Sequence, residues 1–220
     1  MKNICENKTD ALWRDKVLEG LALSHPDAKP ELDFKNPYQL LIATILSAQC
    51  TDKQVNKVTP ALFEAYPTPS DMAAAEPEDI EPYIRSCGFY HNKAKNIVLA
   101  CRDIKERFSG EVPSEREPLE SLAGVGRKTA SVVLSNAFGV PAIAVDTHVF
   151  RVSNRIGLAC ASTVELTEKQ LMEAIPEDKW SIAHHWLIFH GRRVCSARNP
   201  KCENCMIKEL CRHYTEERTK

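Results

Sequence analysis

The sequence predicts an all-α protein, on three observations. Apolar residues recur at helical spacing through most of the chain, no alternating strand pattern competes with them, and the breaks between stripes carry helix caps and turn residues. Asn36-Pro37 reads as an N-cap with proline at the first helical position. Tyr38, Leu41, Ile42 and Ile45 then share one face, which predicts a helix to about Ala48. Later stripes run through Ile97, Cys101, Ile104 and Phe108, then Ala130, Val133, Leu134 and Ala137, then Val164, Leu171, Met172 and Ile175, and finally Trp180, Ala183, His184, Leu187 and Ile188. Pro67-Thr68-Pro69, Cys87-Gly88, Gly110 ahead of Val112-Pro113, and Gly139-Val140-Pro141 punctuate them.

At 220 residues the chain can bury a sizeable core, and two intertwined lobes fit that length. Its apolar run from Leu40 to Ala48 is too short to span a bilayer and is interrupted by Thr44 and Ser47. No signal-peptide pattern occupies Met1 to Gly20, so a cytoplasmic location with reduced thiols is expected. Cys5, Cys50, Cys87, Cys101 and Cys160 are scattered and read as free thiols packed as small hydrophobes. A net charge of −1 offers no global attraction to nucleic acid, so any such binding has to rest on local charge.

The other four cysteines, Cys195, Cys202, Cys205 and Cys211, crowd the end of the chain. A Cys-x-x-Cys pair presents two thiolates from one turn, and the outer pair can complete a four-thiolate shell. Spacing alone leaves zinc and an iron-sulfur cluster both open, because only one close pair is present where zinc sites usually have two. Between Gly191 and His213 six basic residues (Arg192, Arg193, Arg198, Lys201, Lys208, Arg212) face two acidic ones (Glu203, Glu209), a local positive surface.

From Leu119 to Phe138 the chain reads as a helical hairpin around Gly124-Val125-Gly126. Glycines there allow a tight turn, and the free amides at the start of the next helix form an anion site suited to a phosphate. The alternative is an ordinary glycine-capped helix connection. Arg127 and Lys128 sit in that first turn, where a cation is disfavoured by up to about 1 kcal/mol, and rule-breaking residues tend to mark function. An amine attacks as the free base, so Lys128 is either a nucleophile or a solvated phosphate contact. Asp146 follows a buried apolar run and precedes a helix bearing Arg151 and Arg155, which suits a plain N-cap, a role compatible with chemistry if the carboxylate also faces a cleft. His148 reads as a phosphate contact or a satisfied core histidine.

LLIATILSAQCTD, LAGVGRKTA, VDTHVFRV and the four-cysteine run together resemble the endonuclease III family of DNA glycosylases with AP lyase activity, over nearly the whole chain. The resemblance implies a two-lobed helix-hairpin-helix glycosylase fold. A helical barrel domain would span 30–140, with the hairpin at 119–138, and an iron-sulfur domain would join 1–29 to 141–220, with the DNA cleft between the two. It turns the metal question toward a 4Fe-4S cluster on Cys195, Cys202, Cys205 and Cys211. It implies Lys128 as nucleophile and Asp146 as the essential carboxylate in excision of oxidised pyrimidines, followed by β-elimination at the abasic site through a lysine Schiff base. Gln49 would fill the gap left by the flipped nucleotide, and Phe89 would be the wedge, where a leucine is usual. Gly124, Gly126, Arg127, His148, Arg198 and Lys201 would contact the backbone of double-stranded DNA bearing damaged pyrimidines or abasic sites. Ala123 stands where the family has proline, and Cys50 where it has alanine. A monomer is the family default and no membrane is involved. The rivals are a monofunctional adenine glycosylase, which lacks the lysine, and a noncatalytic iron-sulfur DNA-binding protein; the pairing of Lys128 with Asp146 argues against both.

Overall fold

Every stripe read from the sequence is a helix in the computed structural model, which describes residues 11–217. Cys5, and the first ten of the residues Met1 to Gly20 read above for a signal peptide, lie outside that range. In chain order the α-helices are α1 (Ala11–Ser24), α2 (Pro37–Ser47), α3 (Asp52–Ala65), α4 (Pro69–Ala74), α5 (Pro77–Ile84), α6 (Tyr90–Arg107), α7 (Arg116–Glu120), α8 (Arg127–Ala137), α9 (Thr147–Ile156), α10 (Val164–Ala174), α11 (Trp180–Arg193) and α12 (Arg212–Glu217). No strand occurs among the described residues, so the fold is all-α. Nor is any described helix long and apolar enough to cross a membrane.

Two units divide the chain. One is Pro30–Val140, and the other joins the segment before it to Pro141 and beyond. In the first, α2 is the central helix. Asn36 caps it by accepting from the Gln39 amide at 2.9 Å, Pro37 presets its first turn, and Leu40 to Leu46 are all buried. It packs on α3, α6 and α8. The long α6 lies against α4 and α5, and its Arg102 donates to the carbonyls of Ala73 and Ala75, both at 3.1 Å. Those carbonyls end α4 and would otherwise lack partners. Neither α4 nor α5 shows a stripe in the sequence, because six and eight residues are too few for a periodicity to emerge. Their signals are instead the Thr68–Asp71 and Glu76–Asp79 capping boxes, each followed by a proline.

In the second unit, α9 and α11 pack together, with α10 on α9 and α1 on α11. Their core includes Leu18, Leu21, Val145, Val149, Val152, Leu171 and Leu187. α11 also buries three histidines, His184, His185 and His190. Burial holds His185 well below the usual histidine range, at about 4. The folded state therefore takes up this proton only near pH 4, whereas the unfolded chain takes it up near 6.5. Stability from keeping His185 neutral is present above about pH 6.5 and is lost as pH falls toward 4, by about 3 kcal/mol over that window. Unfolding free energies measured by denaturant titration from pH 7 to 4 should include this loss, and His185→Gln should remove this share of it.

Candidate functional site

The hairpin of the first unit is built as its glycines require, though not for one shared reason. Gly124 has φ +75, and a Cβ there would lie 2.9 Å from Asn96 Cβ on α6, so both conformation and space exclude a side chain. Gly126 differs. It is the extended N-cap of α8, and an added Cβ would meet nothing within 4 Å. Of the two glycines only Gly124 is closely approached, and by a side chain. At Gly126 the missing side chain leaves the start of α8 open, and no side chain caps it. Its first-turn amides are thus presented to solvent as an anion site.

Lys128 stands in that first turn, exposed, and no hydrogen bond or ion pair engages its amine among the described residues. Burial is therefore not what would activate it. Arg127 beside it is also exposed.

Gln49 and Phe89 are brought together. Gln49 follows α2 with φ +52, and Phe89 begins α6 with φ +57. Left-handed backbone in two bulky residues costs on the order of 1 kcal/mol or more each and persists where surrounding structure enforces it, commonly at functional sites. A Cβ on Gly88 would lie 3.3 Å from the Gln49 carbonyl, so the two loops touch. Phe89 is 63% exposed, which removes the alternative of a packed core residue. Behind the pair, Lys93 is buried and donates to the Leu46 carbonyl at 2.8 Å, closing the end of α2. Asn96, which abuts Gly124, lies two turns further along α6 from Phe89, about 10 Å. One rigid helix thus supports both the wedge and the hairpin.

In the second unit Asp146 caps α9, its Oδ1 accepting from the Val149 amide at 2.8 Å. It is half-buried, behind fully buried Ala142 to Val145. One oxygen thus anchors the group and the other remains for chemistry. His148 Nδ1 lies 3.2 Å from the Arg151 guanidinium. Arginine can only donate, so Nδ1 accepts and the His148 proton sits on Nε2. That nitrogen can then donate to an anion.

Arg151 and Arg155 do what the sequence reading did not assign to them. Arg151 donates to the Cys195 carbonyl at 3.1 and 3.2 Å and to the Gly191 carbonyl at 3.0 Å. Arg155 donates to Ser196 and Ala197 carbonyls at 2.7 and 3.1 Å and to Cys195 Sγ at 3.5 Å. Spacing four apart on one helix face was the available signal.

The four cysteines line one small cavity, with Ile207, His190 and Tyr214 around them. Burial, with the crowding of the other three thiols, pushes Cys205 up to about 11 as a free thiol. Two nitrogens lie against the sulfurs: Arg155 donates to Cys195 Sγ, and His190 Nε2 is 3.6 Å from Cys205 Sγ, where its Nε2–H tautomer can donate to a thiolate. His190 is turned that way by His25 Nε2, 3.1 Å from its Nδ1. Donors around crowded sulfurs suit thiolate ligands. Among the described residues no three such groups converge on a point that one ion would occupy, as tetrahedral zinc requires. A four-iron cluster takes each thiolate on a separate iron, so this set fits the cluster better. Arg198 and Lys201 are exposed on the same loop. Arg193, counted with them in the sequence, is held by Asp27 in a two-pronged pair at 2.7 and 2.8 Å, so the loop's outward charge is smaller than the count suggests.

Residues 42–177 match the HhH-GPD superfamily of base excision DNA repair proteins, and 195–211 match the iron-sulfur binding domain of endonuclease III. The chain is 47% identical over 207 residues to the Haemophilus influenzae protein named endonuclease III, covering 94% of this chain and 97% of that one. A solved structure of a trapped endonuclease III-DNA covalent intermediate, an estranged-adenine complex, superposes with TM-score 0.89 at 50% identity, covering 95% of this chain and 99% of that one. A non-covalent endonuclease III-DNA complex gives the same score and identity, covering 96% and 99%.

Proposed function

Because the chain belongs to the endonuclease III family of base excision DNA repair proteins, we propose a division of labour in which Lys128 attacks the sugar of a damaged nucleotide while Asp146 handles charge and protons. The chain is a DNA glycosylase and AP lyase, its partner is DNA and its cofactor is a 4Fe-4S cluster. The proposed substrate is duplex DNA carrying oxidised pyrimidines or abasic sites, met by a monomer in the cytoplasm. One observation carries the residue assignment: an unengaged, exposed lysine in the first turn of a helix whose amides no side chain caps.

The proposed sequence begins at the paired loops. Extruding a base from the stack costs a few kcal/mol, least for a lesion that pairs badly. Gln49 would fill the vacated space, and Phe89 would stack between neighbouring bases. The amides after Gly126, with Arg127, would grip a phosphate, and His148 Nε2–H, Arg198 and Lys201 would hold others. Lys128 Nζ would then attack C1′ and expel the base. Asp146 would take the amine proton and stabilise the positive charge growing on the sugar. Loss of a 2′ proton from the resulting Schiff base would release the 3′ phosphate by β-elimination. Cys195, Cys202, Cys205 and Cys211 would hold the cluster, which when bound ties the basic loop into one rigid piece.

Borohydride reduction tests this reading. With a duplex carrying thymine glycol, wild-type protein should give a covalent protein-DNA band, and Lys128→Ala should give none at equal cluster absorbance. A band of unchanged intensity in the variant would remove Lys128 from the mechanism.

A further inference from the structure

Behind the Gln49–Phe89 pair lie two thiols that the reaction does not use. Cys50 follows Gln49 and is half-buried, its amide bonded to the Ser47 carbonyl at 3.1 Å. Cys87 precedes Gly88, is fully buried, and its amide is bonded to the Ile84 carbonyl at 2.8 Å. The thiols of Cys50 and Cys87 lie near enough to act on each other, and the flanking backbones meet where Gly88 approaches the Gln49 carbonyl. The positive charge of the buried Lys93 acts on both thiols.

We propose that Cys50 and Cys87 are a redox-modification site: they form a reversible disulfide that ties together the loops carrying Gln49 and Phe89. The oxidant is a small-molecule disulfide. Cys50 thiolate attacks one of its sulfurs and releases the other half as a thiol, leaving a mixed disulfide on Cys50. Cys87 then attacks the Cys50 sulfur, its proton leaving with the second small-molecule thiol. Two protein thiols are oxidised, one disulfide is reduced to two thiols, and no atom is left over.

Geometry sets the order of events. Cys87 has no exposed surface, so no external reagent reaches it directly; Cys50 has some. Burial and the nearby Cys50 thiol hold the Cys87 thiol up at about 11, with Lys93 opposing, which also disfavours Cys87 as the first attacker. The loops already meet at Gly88 and the Gln49 carbonyl, and a disulfide requires them to close until the sulfurs are about 2 Å apart. The consequence for DNA rests on the reading of Gln49 and Phe89 given above: a cross-link one residue from Gln49 and two from Phe89 would fix backbones that must adjust to an extruded nucleotide.

The test uses cluster-loaded protein incubated with oxidised glutathione, unfolded in alkylating reagent, digested and weighed. The expected product joins the peptides of residues 50 and 87, about 2 Da lighter than the two free peptides, and dithiothreitol abolishes it. Cys87→Ala should instead retain glutathione on Cys50. Wild-type protein that keeps glutathione on Cys50, or leaves both thiols alkylated, overturns the proposal. A second arm measures binding to duplex with an abasic-site analogue at unchanged cluster absorbance. Oxidation should weaken it, with recovery on reduction and no effect in Cys50→Ala. A disulfide that forms without changing affinity upholds the modification site and overturns its effect on DNA binding.

Discussion

Asp146→Asn is expected to fold like the parent protein yet excise bases about a thousandfold more slowly. The two effects separate because Asp146 has two tasks on two oxygens. Oδ1 caps α9 through the Val149 amide, and asparagine caps a helix about as well as aspartate, so stability should move by only a few tenths of a kcal/mol. The proposed chemistry needs a negative charge beside a sugar that becomes positive and a base for the lysine proton, and asparagine supplies neither. Losing one preorganised electrostatic partner of this kind raises a barrier by about 3 to 4 kcal/mol. Single-turnover excision of thymine glycol and a thermal melt, on the same preparation, measure both quantities. Asp146→Ala is the control, since it should add a capping loss of about 1 kcal/mol to the same rate defect. If Asp146→Asn excises at the parent rate, the residue is a cap and nothing more.

The second large effect is on the cysteine loop. Cys205→Ala should lose the visible absorbance of the cluster and release residues 195–211 to proteolysis, while the helical core of α9 to α11 survives. In small sites, metal-ligand binding contributes folding free energy on the order of 10 kcal/mol, far more than the contacts that remain to the loop. Those contacts include the Arg151 and Arg155 bonds to its first turn, Trp13 Nε1 donating to the Leu210 carbonyl at 3.0 Å, and Ile207 buried in the core. They anchor the ends of the loop and one point near its middle and leave the segments between to the ligands. Limited proteolysis with iron quantitation reads the result; full iron content with an intact loop would show that Cys205 is not a ligand.

Phe89 illustrates how far reading from sequence reaches at the site. As an aromatic residue between Gly88 and Tyr90 it was compatible with either a wedge or a packed core. Its exposure and left-handed backbone, set by the approach of the Gln49 loop, distinguish these. Lys93 shows the opposite failure. A lysine in a polar stretch reads as solvated, yet it is 5% exposed because the Leu46 carbonyl, 47 residues earlier, provides the partner that its ammonium needs. Arg155 likewise acquires its role from Cys195, 40 residues later.

What the sequence by itself determined is therefore what nearest neighbours decide. Apolar spacing, the Asn36 and Asp146 caps, the glycine turn ahead of Lys128 and the four closely spaced thiols all act within a few residues, where chain connectivity already enforces proximity. Tertiary structure alone decided which loop braces which: Gln49 against Gly88, Asn96 under Gly124, Cys50 beside Cys87, and Arg155 on the cysteine loop. Such pairings depend on loop closure and on competition among many burial patterns of similar free energy, and no local signal in the chain carries that information.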